Sequence, residues 1–236
     1  MGRSVLVTGG NRGIGLAVAR TLAADGDRVA ITHRGDAGPR EDGLFSVRCD
    51  VRDADQVDAA VTAVEAEHGP VTVVVANAGI TRDRLLLKMS DEDFDDVVDT
   101  NLTGAFRVVR RTARSLLANR AGRVVLVASS AGMSGVAGQA NYAASKAGLV
   151  GMARSLAREF ASRGTTVNVV APGLTDTDMS AALSAKQRDA IVAQVPLRRM
   201  ADPDEVAAAV RFLVSREAAY ITGAIVPVDG GMSMGH

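Results

Sequence analysis

Tyr142 and Lys146 lie four residues apart in a segment whose apolar spacing predicts a helix, so both side chains face one side of it. A tyrosine phenol has a pKa near 10, too high for easy proton exchange at neutral pH, and a nearby ammonium group lowers that pKa. Ser129, at the end of a predicted strand, is suited to hydrogen-bond a substrate oxygen. Asn101, at a predicted helix break, is suited to hold a water molecule that connects Lys146 to solvent. Singly, each residue fits an ordinary structural role; together they predict a proton-transfer site.

A glycine-rich segment, Thr8-Gly9-Gly10-Asn11-Arg12-Gly13-Ile14-Gly15, follows the first predicted strand and opens a helix. Glycines at such a turn let backbone N–H groups approach a pyrophosphate, and the helix N-terminus favours negative charge. The spacing is Gly-x-x-x-Gly-x-Gly, not the more familiar Gly-x-Gly-x-x-Gly. Alone, the cluster fits a tight strand-to-helix turn equally well. In company with the proton-transfer residues, it predicts hydride transfer to or from a carbonyl.

The end of the second predicted strand indicates which nicotinamide cofactor is used. An acidic residue there holds the ribose 2′-hydroxyl of NAD, and a basic residue accommodates the 2′-phosphate of NADP. The chain has Thr32-His33-Arg34 at this point, and Arg12 in the glycine loop is a second guanidinium able to grip phosphate. Both arginines favour NADPH. Arg34 also fits a solvated loop residue, and a strand end shifted by two residues would bring Asp36 near the ribose.

Two further groups follow predicted strands. The Asp50 carboxylate, after the third strand, is either an acceptor for the adenine amino group or a turn or cap residue ahead of Asp53. Asn77-Ala78-Gly79 follows the fourth strand, where small residues allow close approach of a ligand. Doubly wound folds bind ligands at this edge of the sheet, the carboxyl ends of the strands.

Short apolar runs alternate with longer amphipathic segments, which predicts βαβ units and a doubly wound parallel sheet with helices on both faces. The predicted strands are residues 4–8, 28–32, 44–49, 71–76, 123–128, 165–171 and 224–228. The predicted helices are residues 13–25, 53–68, 91–118, 139–162 and 203–215, the third with a possible joint near Asn101. Asp202 and Pro203 predict an N-cap and first residue for the last helix. Residues 35–43 and 173–188 are predicted connections, the second long enough for a lid.

Composition narrows the class of protein. The 236 residues fit one domain spanning 1–236, with 27 basic and 27 acidic side chains and so no net charge to recruit DNA or a membrane surface. Aromatic residues make up only 3%, unlike a base-stacking nucleic-acid binder. The single Cys49 suits a reducing compartment, and residues 1–6 lead into a strand without a signal-peptide layout. We therefore expect a cytoplasmic protein with no nucleic-acid, membrane or metal site.

The set of motifs resembles the classical short-chain dehydrogenase/reductase family over essentially the whole chain. The matching residues are Thr8, Gly9, Gly13, Gly15, Asp50, Asn77, Ala78, Gly79, Asn101, Ser129, Tyr142, Lys146, Pro172 and Gly173. Within the family, residues 141–148, 167–173 and 227–232 resemble bacterial 3-oxoacyl-[acyl-carrier-protein] reductases, and residues 32–35 and 231–236 resemble their actinobacterial members.

The resemblance implies a Rossmann-type seven-stranded sheet, NADPH as cofactor, a homotetramer and an Asn101–Ser129–Tyr142–Lys146 catalytic tetrad. It implies reduction of a 3-oxoacyl thioester on acyl carrier protein to the (3R)-3-hydroxyacyl thioester in fatty-acid synthesis. The implied cofactor-binding residues are Gly9, Asn11, Arg12, Gly13, Ile14, Gly15, Arg34, Asp50, Val51, Asn77, Ala78, Gly79, Tyr142, Lys146, Pro172, Gly173, Thr175 and Thr177. Pro172-Gly173 and Thr177 are expected over the nicotinamide and pyrophosphate.

An acidic carrier protein needs a basic docking surface, for which the sequence offers a set of arginines. They are Arg107, Arg110, Arg111 and Arg114 on one predicted helix face, with Arg120, Arg123 and Arg163 as further candidates. The same face equally fits a solvated or subunit-contact surface. The alternatives are a reductase of an acyl-CoA or small ketone, and a catalytically silent NADP-sensing protein.

Overall fold

The structure is a computed structural model that describes residues 2–35, 43–181 and 183–234. Its centre is a seven-stranded parallel sheet in the order β3-β2-β1-β4-β5-β6-β7. The strands are β1 Ser4–Thr8, β2 Arg28–His33, β3 Leu44–Arg48, β4 Val73–Ala76, β5 Arg123–Val127, β6 Thr166–Pro172 and β7 Ile225–Val228. All seven predicted strands are confirmed, with ends that differ by at most two residues.

Nine α-helices connect the strands within the described residues. They are α1 Gly13–Ala24, α2 Ala54–His68, α3 Asp91–Val98, α4 Gly104–Asn119, α5 Ala131–Ser134, α6 Ala140–Phe160, α7 Asp178–Ala181, α8 Ala185–Val192 and α9 Pro203–Val214. The five predicted helices are confirmed, and the third is interrupted by a π-helical turn over Asp99–Thr103, which contains Asn101. The short helices α5, α7 and α8 were not predicted, and the last two lie in or next to the predicted connection 173–188.

Helix capping follows the sequence closely. The side chain of Asp202 accepts a hydrogen bond from the N–H of Asp204, and Pro203 occupies the first turn of α9, as predicted. Asp53 accepts from the N–H groups of Asp55 and Gln56 and caps α2. Such caps satisfy N–H groups that have no partner within the helix, so a local sequence signal is enough to predict them.

Valine-rich strands bury both faces of the sheet. On one face, Leu6 and Val74 pack with helices α2, α4 and α6 in one apolar cluster. On the other, Val7 and Val75 pack with α1 and α9 in a second cluster. The two clusters confirm the predicted doubly wound architecture.

The strand order reverses at β1, which lies between β2 and β4. Helices diverge to opposite faces at such a switch point, and a crevice opens outside the carboxyl ends of the strands. The glycine-rich segment follows β1 at this crevice. Among the described residues, no helix is both long and apolar enough to cross a membrane.

Candidate active site

A cleft of about 860 Å³ lies along the carboxyl ends of the strands. The predicted site residues that line it are Gly9, Asn11, Arg12, Gly13, Ile14, Arg34, Asp50, Val51, Asn77, Ala78, Gly79, Ser129, Tyr142, Lys146, Pro172, Gly173, Thr175 and Thr177. Gly15 and Asn101 do not line the cleft, and both pack directly behind residues that do. One cleft thus brings together the glycine loop and the residues predicted to transfer a proton.

The glycine loop lines this cleft. Gly9 and Gly13 adopt the left-handed φ values of 62° and 50°, which favour glycine. A Cβ atom on Gly15 would overlap the carbonyl oxygen of Gly9, so α1 approaches the loop closely. Among the described residues, no side chain caps the N-terminus of α1. A pyrophosphate fits this position because the helix dipole and the N–H groups both favour an anion.

Asn77 holds the glycine loop against β4. Its Nδ2 donates to the carbonyl oxygens of Thr8 and Gly9, each at 3.0 Å. The Thr8 hydroxyl in turn accepts from the backbone N–H groups of Asn77 and Ala78, at 3.0 and 3.1 Å. The sequence indicated close ligand approach here, and the structure adds that the Asn77 amide fixes the loop.

Asp50, at one end of the cleft, is paired with Arg52, a residue that the sequence analysis missed. Arg52 donates to Asp50 through Nε and Nη2, the latter at 2.8 Å, and its Nη1 bonds Asp96 of α3 at 3.2 Å. These hydrogen bonds hold the pKa of the Asp50 carboxyl below its usual value. The α2 cap is Asp53, so the alternative role of Asp50 as that helix cap is wrong.

Basic residues flank the end of β2. His33 ends this strand and is buried, whereas Arg34 is exposed and lines the cleft. Asp36, the alternative contact for the ribose, lies outside the described residues. The Arg12 guanidinium lies 3.6 Å from the Asp178 carboxylate of α7, and both side chains are largely exposed. An exposed pair at this distance is weak, so Arg12 remains available to an anionic ligand.

Burial dominates the electrostatics of the proton-transfer residues. Lys146 is 4% exposed, and burial lowers its pKa from 10.5 to about 8. Its Nζ donates to the Val127 carbonyl oxygen at 2.7 Å and lies 5.6 Å from the centre of the Tyr142 ring. Burial raises the pKa of Tyr142, a hydrogen bond with Ser129 lowers it, and the Asp83 charge raises it. Lys146 is not among the causes of this pKa shift, and its amine donates to the Val127 carbonyl, so the lowering of the phenol pKa by a protonated Lys146 stays a prediction.

Asn101 is 1% exposed and faces protein groups. Its Oδ1 accepts from the N–H of Ile80 at 2.8 Å, and its Nδ2 donates to the Ile80 carbonyl and to the Ser145 hydroxyl at 3.1 and 3.0 Å. Both amide hydrogens are therefore engaged by protein. The side chain ties the π-helical turn to α6 and to the segment after β4, and these bonds leave neither amide hydrogen for the predicted water molecule.

The connection after β6 forms the far wall of the cleft. A Cβ atom on Gly173 would lie 2.8 Å from Asp229 Cα, and one on Gly13 would lie 3.2 Å from Thr177 Cγ2. Thr175 is buried and pairs with Ala201 in an isolated parallel bridge. Beyond these residues, the cleft is also lined by apolar side chains: Val136, Met179, Leu183, Ile191 and Met232.

The predicted docking arginines divide into two groups. Arg107 pairs with Asp99 at 2.8 Å, and Arg111 pairs with Asp58 and Glu65. Arg123 is only 6% exposed and donates to the carbonyl oxygens of Gly122, Gly164 and Ser215, so its prediction as a surface residue is wrong. The exposed members of the set are Arg110, Arg114, Arg120 and Arg163.

We expect Lys146 to titrate with a midpoint near pH 8 in the cofactor-free protein, because burial favours its neutral form. The chain has only three lysines, so NMR of ¹³C-labelled lysine resolves each one, with exposed Lys88 and Lys186 as references and Lys146→Met for assignment. A midpoint above 10 for the Lys146 signal would contradict the buried geometry.

Comparison with known proteins covers nearly the whole chain. A family model described as "Enoyl-(Acyl carrier protein) reductase" matches residues 9–233. The chain is 55% identical over 234 residues to the 3-oxoacyl-[acyl-carrier-protein] reductase MabA of Mycobacterium tuberculosis, with 99% of this chain and 94% of the relative covered. It is 47% identical over 239 residues to the 3-oxoacyl-[acyl-carrier-protein] reductase FabG of Escherichia coli, with 99% and 98% covered. The chain therefore belongs to the short-chain dehydrogenase/reductase family.

Proposed function

We propose that the chain reduces a 3-oxoacyl thioester carried by acyl carrier protein to the (3R)-3-hydroxyacyl thioester, with NADPH as the reductant. The observation that carries this proposal is that the glycine loop and the Ser129–Tyr142–Lys146 group line one and the same cleft. The names of the MabA and FabG relatives supply the carrier-bound 3-oxoacyl substrate. When bound, the nicotinamide supplies a hydride to the carbonyl carbon.

The residues of the cleft fit the cofactor in sections. The glycine loop and the start of α1 would hold the pyrophosphate, with Asn77 keeping the loop in place. Asp50 and Val51, which also line the cleft, would hold the adenine, while Arg12 and Arg34 would hold a 2′-phosphate. The remaining contacts would come from residues nearer the proton-transfer group: Ala78, Gly79, Tyr142, Lys146, Pro172, Gly173, Thr175 and Thr177.

The proton-transfer residues have complementary tasks in reduction. Ser129 orients the substrate oxygen by a hydrogen bond, and Tyr142 donates its phenolic proton to that oxygen. Because burial raises the pKa of Tyr142, the phenol is protonated at neutral pH and is ready to act as an acid. The phenolate that this step leaves on Tyr142 would be stabilised by Lys146, which is buried on the same helix face, when its amine is protonated, and Asn101 holds the surrounding backbone.

Replacement of the acid tests this chemistry. Tyr142→Phe removes the proton donor, and general acid catalysis contributes about a hundred- to ten-thousandfold, so we expect kcat to fall by at least the lower figure. NADPH affinity, measured by fluorescence titration, should remain nearly unchanged. Tyr220→Phe, which alters the other and fully exposed tyrosine, is the control. Near-normal turnover of the Tyr142 variant would exclude Tyr142 as the acid.

Arg34 is proposed to recognise the 2′-phosphate that distinguishes NADPH from NADH. A charge-assisted hydrogen bond contributes about 1.5–3 kcal/mol, or roughly one to two powers of ten in affinity. Arg34→Ala should therefore weaken NADPH binding by that factor and leave NADH binding nearly unchanged. Equal weakening of both cofactors in fluorescence titrations would show that Arg34 does not contact the 2′-phosphate.

A homotetramer is part of the proposal, supported by surfaces that one protomer leaves open. The exposed side of α6 carries the small residues Ala144, Ala147 and Gly151, which permit close helix packing. Strand β7 pairs only with β6 among the described residues and forms an edge of the sheet. Edge strands and apolar surfaces of this kind are usually covered in native proteins.

A bulky charge on α6 should disrupt this assembly. A Cβ atom on Gly151 would meet no described atom within 4 Å, so Gly151→Arg is tolerated by the protomer and should block only contacts between copies. Sedimentation velocity should show a tetramer for the wild type and a smaller species for the variant. Ala66→Arg, on the exposed side of α2, is the control. A stable, active wild-type monomer at micromolar concentration would refute the assembly.

Whether the substrate is carried by acyl carrier protein is tested by the dependence of its KM on salt and on surface charge. Arg120 and Arg163 are exposed and precede β5 and β6, so they lie at the sheet edge opposite the cleft of the same protomer. A carrier that docks on them would serve the cleft of another copy, in keeping with the proposed tetramer. Exposed charges are screened beyond roughly 8 Å at physiological salt, which slows electrostatically steered association.

We expect added salt, and Arg120→Glu or Arg163→Glu, to raise KM for the carrier-bound substrate and to leave turnover of acetoacetyl-CoA almost unchanged. Steady-state assays should include a small ketone and, because of the description of the matching family model, a 2-enoyl thioester. Equal responses of the carrier and CoA substrates would favour the acyl-CoA or small-ketone alternative. Cofactor binding without turnover of any substrate would favour the sensing alternative.

A further inference from the structure

Asn141, one residue before Tyr142, is fully buried and uses its side-chain amide to join three segments. Its Oδ1 accepts from the backbone N–H of Tyr142 at 2.8 Å. Its Nδ2 donates to the carbonyl oxygens of Arg82 and Asp93, at 3.0 and 2.9 Å. Arg82 belongs to the segment that follows β4 and contributes to the cleft wall, and Asp93 belongs to α3, so the two donations attach α6 to two separate elements.

The start of α6 depends on these contacts because it has no other side-chain cap among the described residues. Gln139, at the N-cap position, does not bond the helix through its side chain; it donates to Asp83 Oδ2 at 2.8 Å. The N–H of Arg84 donates to the Gly138 carbonyl at 2.8 Å. Three hydrogen bonds thus join residues 82–84 to the start of α6. Two of them involve Gly138 and Gln139, which precede the helix, and only the bond from Asn141 comes from inside it.

We propose that Asn141 is a positioning residue for proton transfer, which holds the first turn of α6 so that the Tyr142 phenol meets Ser129 and the substrate oxygen. The inference rests on the function proposed for the cleft. Asn101 also joins α6 to the segment after β4, because its side chain forms hydrogen bonds with the backbone N–H and carbonyl of Ile80 and with the Ser145 hydroxyl of α6. The two asparagines together lock the segment after β4 and α6 into one hydrogen-bonded unit around the reacting groups.

A second buried asparagine in the chain is a matched control for the loss of stability that substitution of such a residue causes. Asn168 is also fully buried; its Nδ2 donates to the Ile221 carbonyl at 2.8 Å, and its Oδ1 accepts from the N–H of Ala224 at 3.1 Å. It joins β6 to the segment before β7 and does not line the cleft. Loss of either amide leaves buried carbonyl groups unpaired, so both substitutions should lower stability.

The experiment compares Asn141→Ser and Asn141→Ala with Asn168→Ser and Asn168→Ala. A small displacement of a reacting group lowers rates by up to about a hundredfold, so we expect kcat with acetoacetyl-CoA to fall roughly ten- to a hundredfold in the Asn141 variants. The dissociation constant for NADPH should stay within about twofold. The Asn168 variants should keep kcat within about twofold. If both pairs lose kcat equally, Asn141 is a structural residue only.

A second measurement does not depend on catalysis. In a Tyr220→Phe background, Tyr142 is the only tyrosine, so tyrosinate absorbance reports its ionisation alone. The Ser129 bond affects the pKa of Tyr142 more than the Asp83 charge does, and Lys146 is held by Val127. Loss of alignment with Ser129 should therefore move the Tyr142 transition to higher pH in Asn141→Ser and not in Asn168→Ser.

An unchanged transition in Asn141→Ser, with the protein folded by circular dichroism, would overturn the inference. Absence of wild-type turnover with every thioester would instead refute the proposed function, and the absorbance titration would still decide whether Asn141 positions Tyr142. The two measurements therefore distinguish a failure of the Asn141 inference from a failure of the proposed function.

Discussion

Burial of both faces of a parallel sheet is the constraint on which the rest of this structure depends. All seven strands pair in parallel, so they point the same way and their carboxyl ends meet at one edge. Residues far apart in the chain, such as Gly9, Asn77, Ser129 and Gly173, are brought to one cleft simply because each follows a strand. The switch between β1 and β4 then opens the crevice in which these residues face each other.

Helix α6 completes the cleft, because residues of its first turns line it at this edge of the sheet. Its small residues and buried face pack it against β6 and α3, and this packing carries Tyr142 and Lys146 to the ends of β5 and β6. Lys146 is buried by this packing and Tyr142 is half-buried at the cleft, and burial lowers the pKa of Lys146 and raises that of Tyr142. Position and electrostatics therefore have one origin, the burial of α6.

The elements and most cleft residues could be predicted because their signals are local. Alternating apolar runs predict the strands, Asp202-Pro203 predicts the start of α9, and a residue that follows a strand is expected at the cleft. The partners of Asn77 and Arg52 could not be predicted, since the Gly9 carbonyl and the Asp96 carboxylate meet them only after folding. The Tyr142–Lys146 spacing indicates a shared helix face but not the Val127 carbonyl that attracts the amine.

The exposure and partners of the arginines were the hardest features to predict, because spacing along a helix does not show which side chains a neighbouring element places beside it. Arg107 and Arg111 face acidic residues of neighbouring helical segments, and Arg123 is covered by backbone carbonyls at the base of the sheet. The prediction that four arginines share one helix face was correct, but two of the four form ion pairs within the chain. Only the tertiary structure separates these arginines from exposed Arg120 and Arg163.

The central claim is that one cleft holds a nicotinamide cofactor beside a substrate carbonyl, so that hydride would reach the carbonyl carbon while Tyr142 protonates the oxygen. Its most direct test is isotope transfer from NADPH deuterated at either face of C4, with acetoacetyl-CoA as acceptor and mass spectrometry of the product. The account predicts that one of the two isotopomers delivers a single deuterium to the carbon of the former ketone, while the hydroxyl proton comes from solvent. A product without cofactor deuterium from either isotopomer, or no reduced product at all, would contradict it.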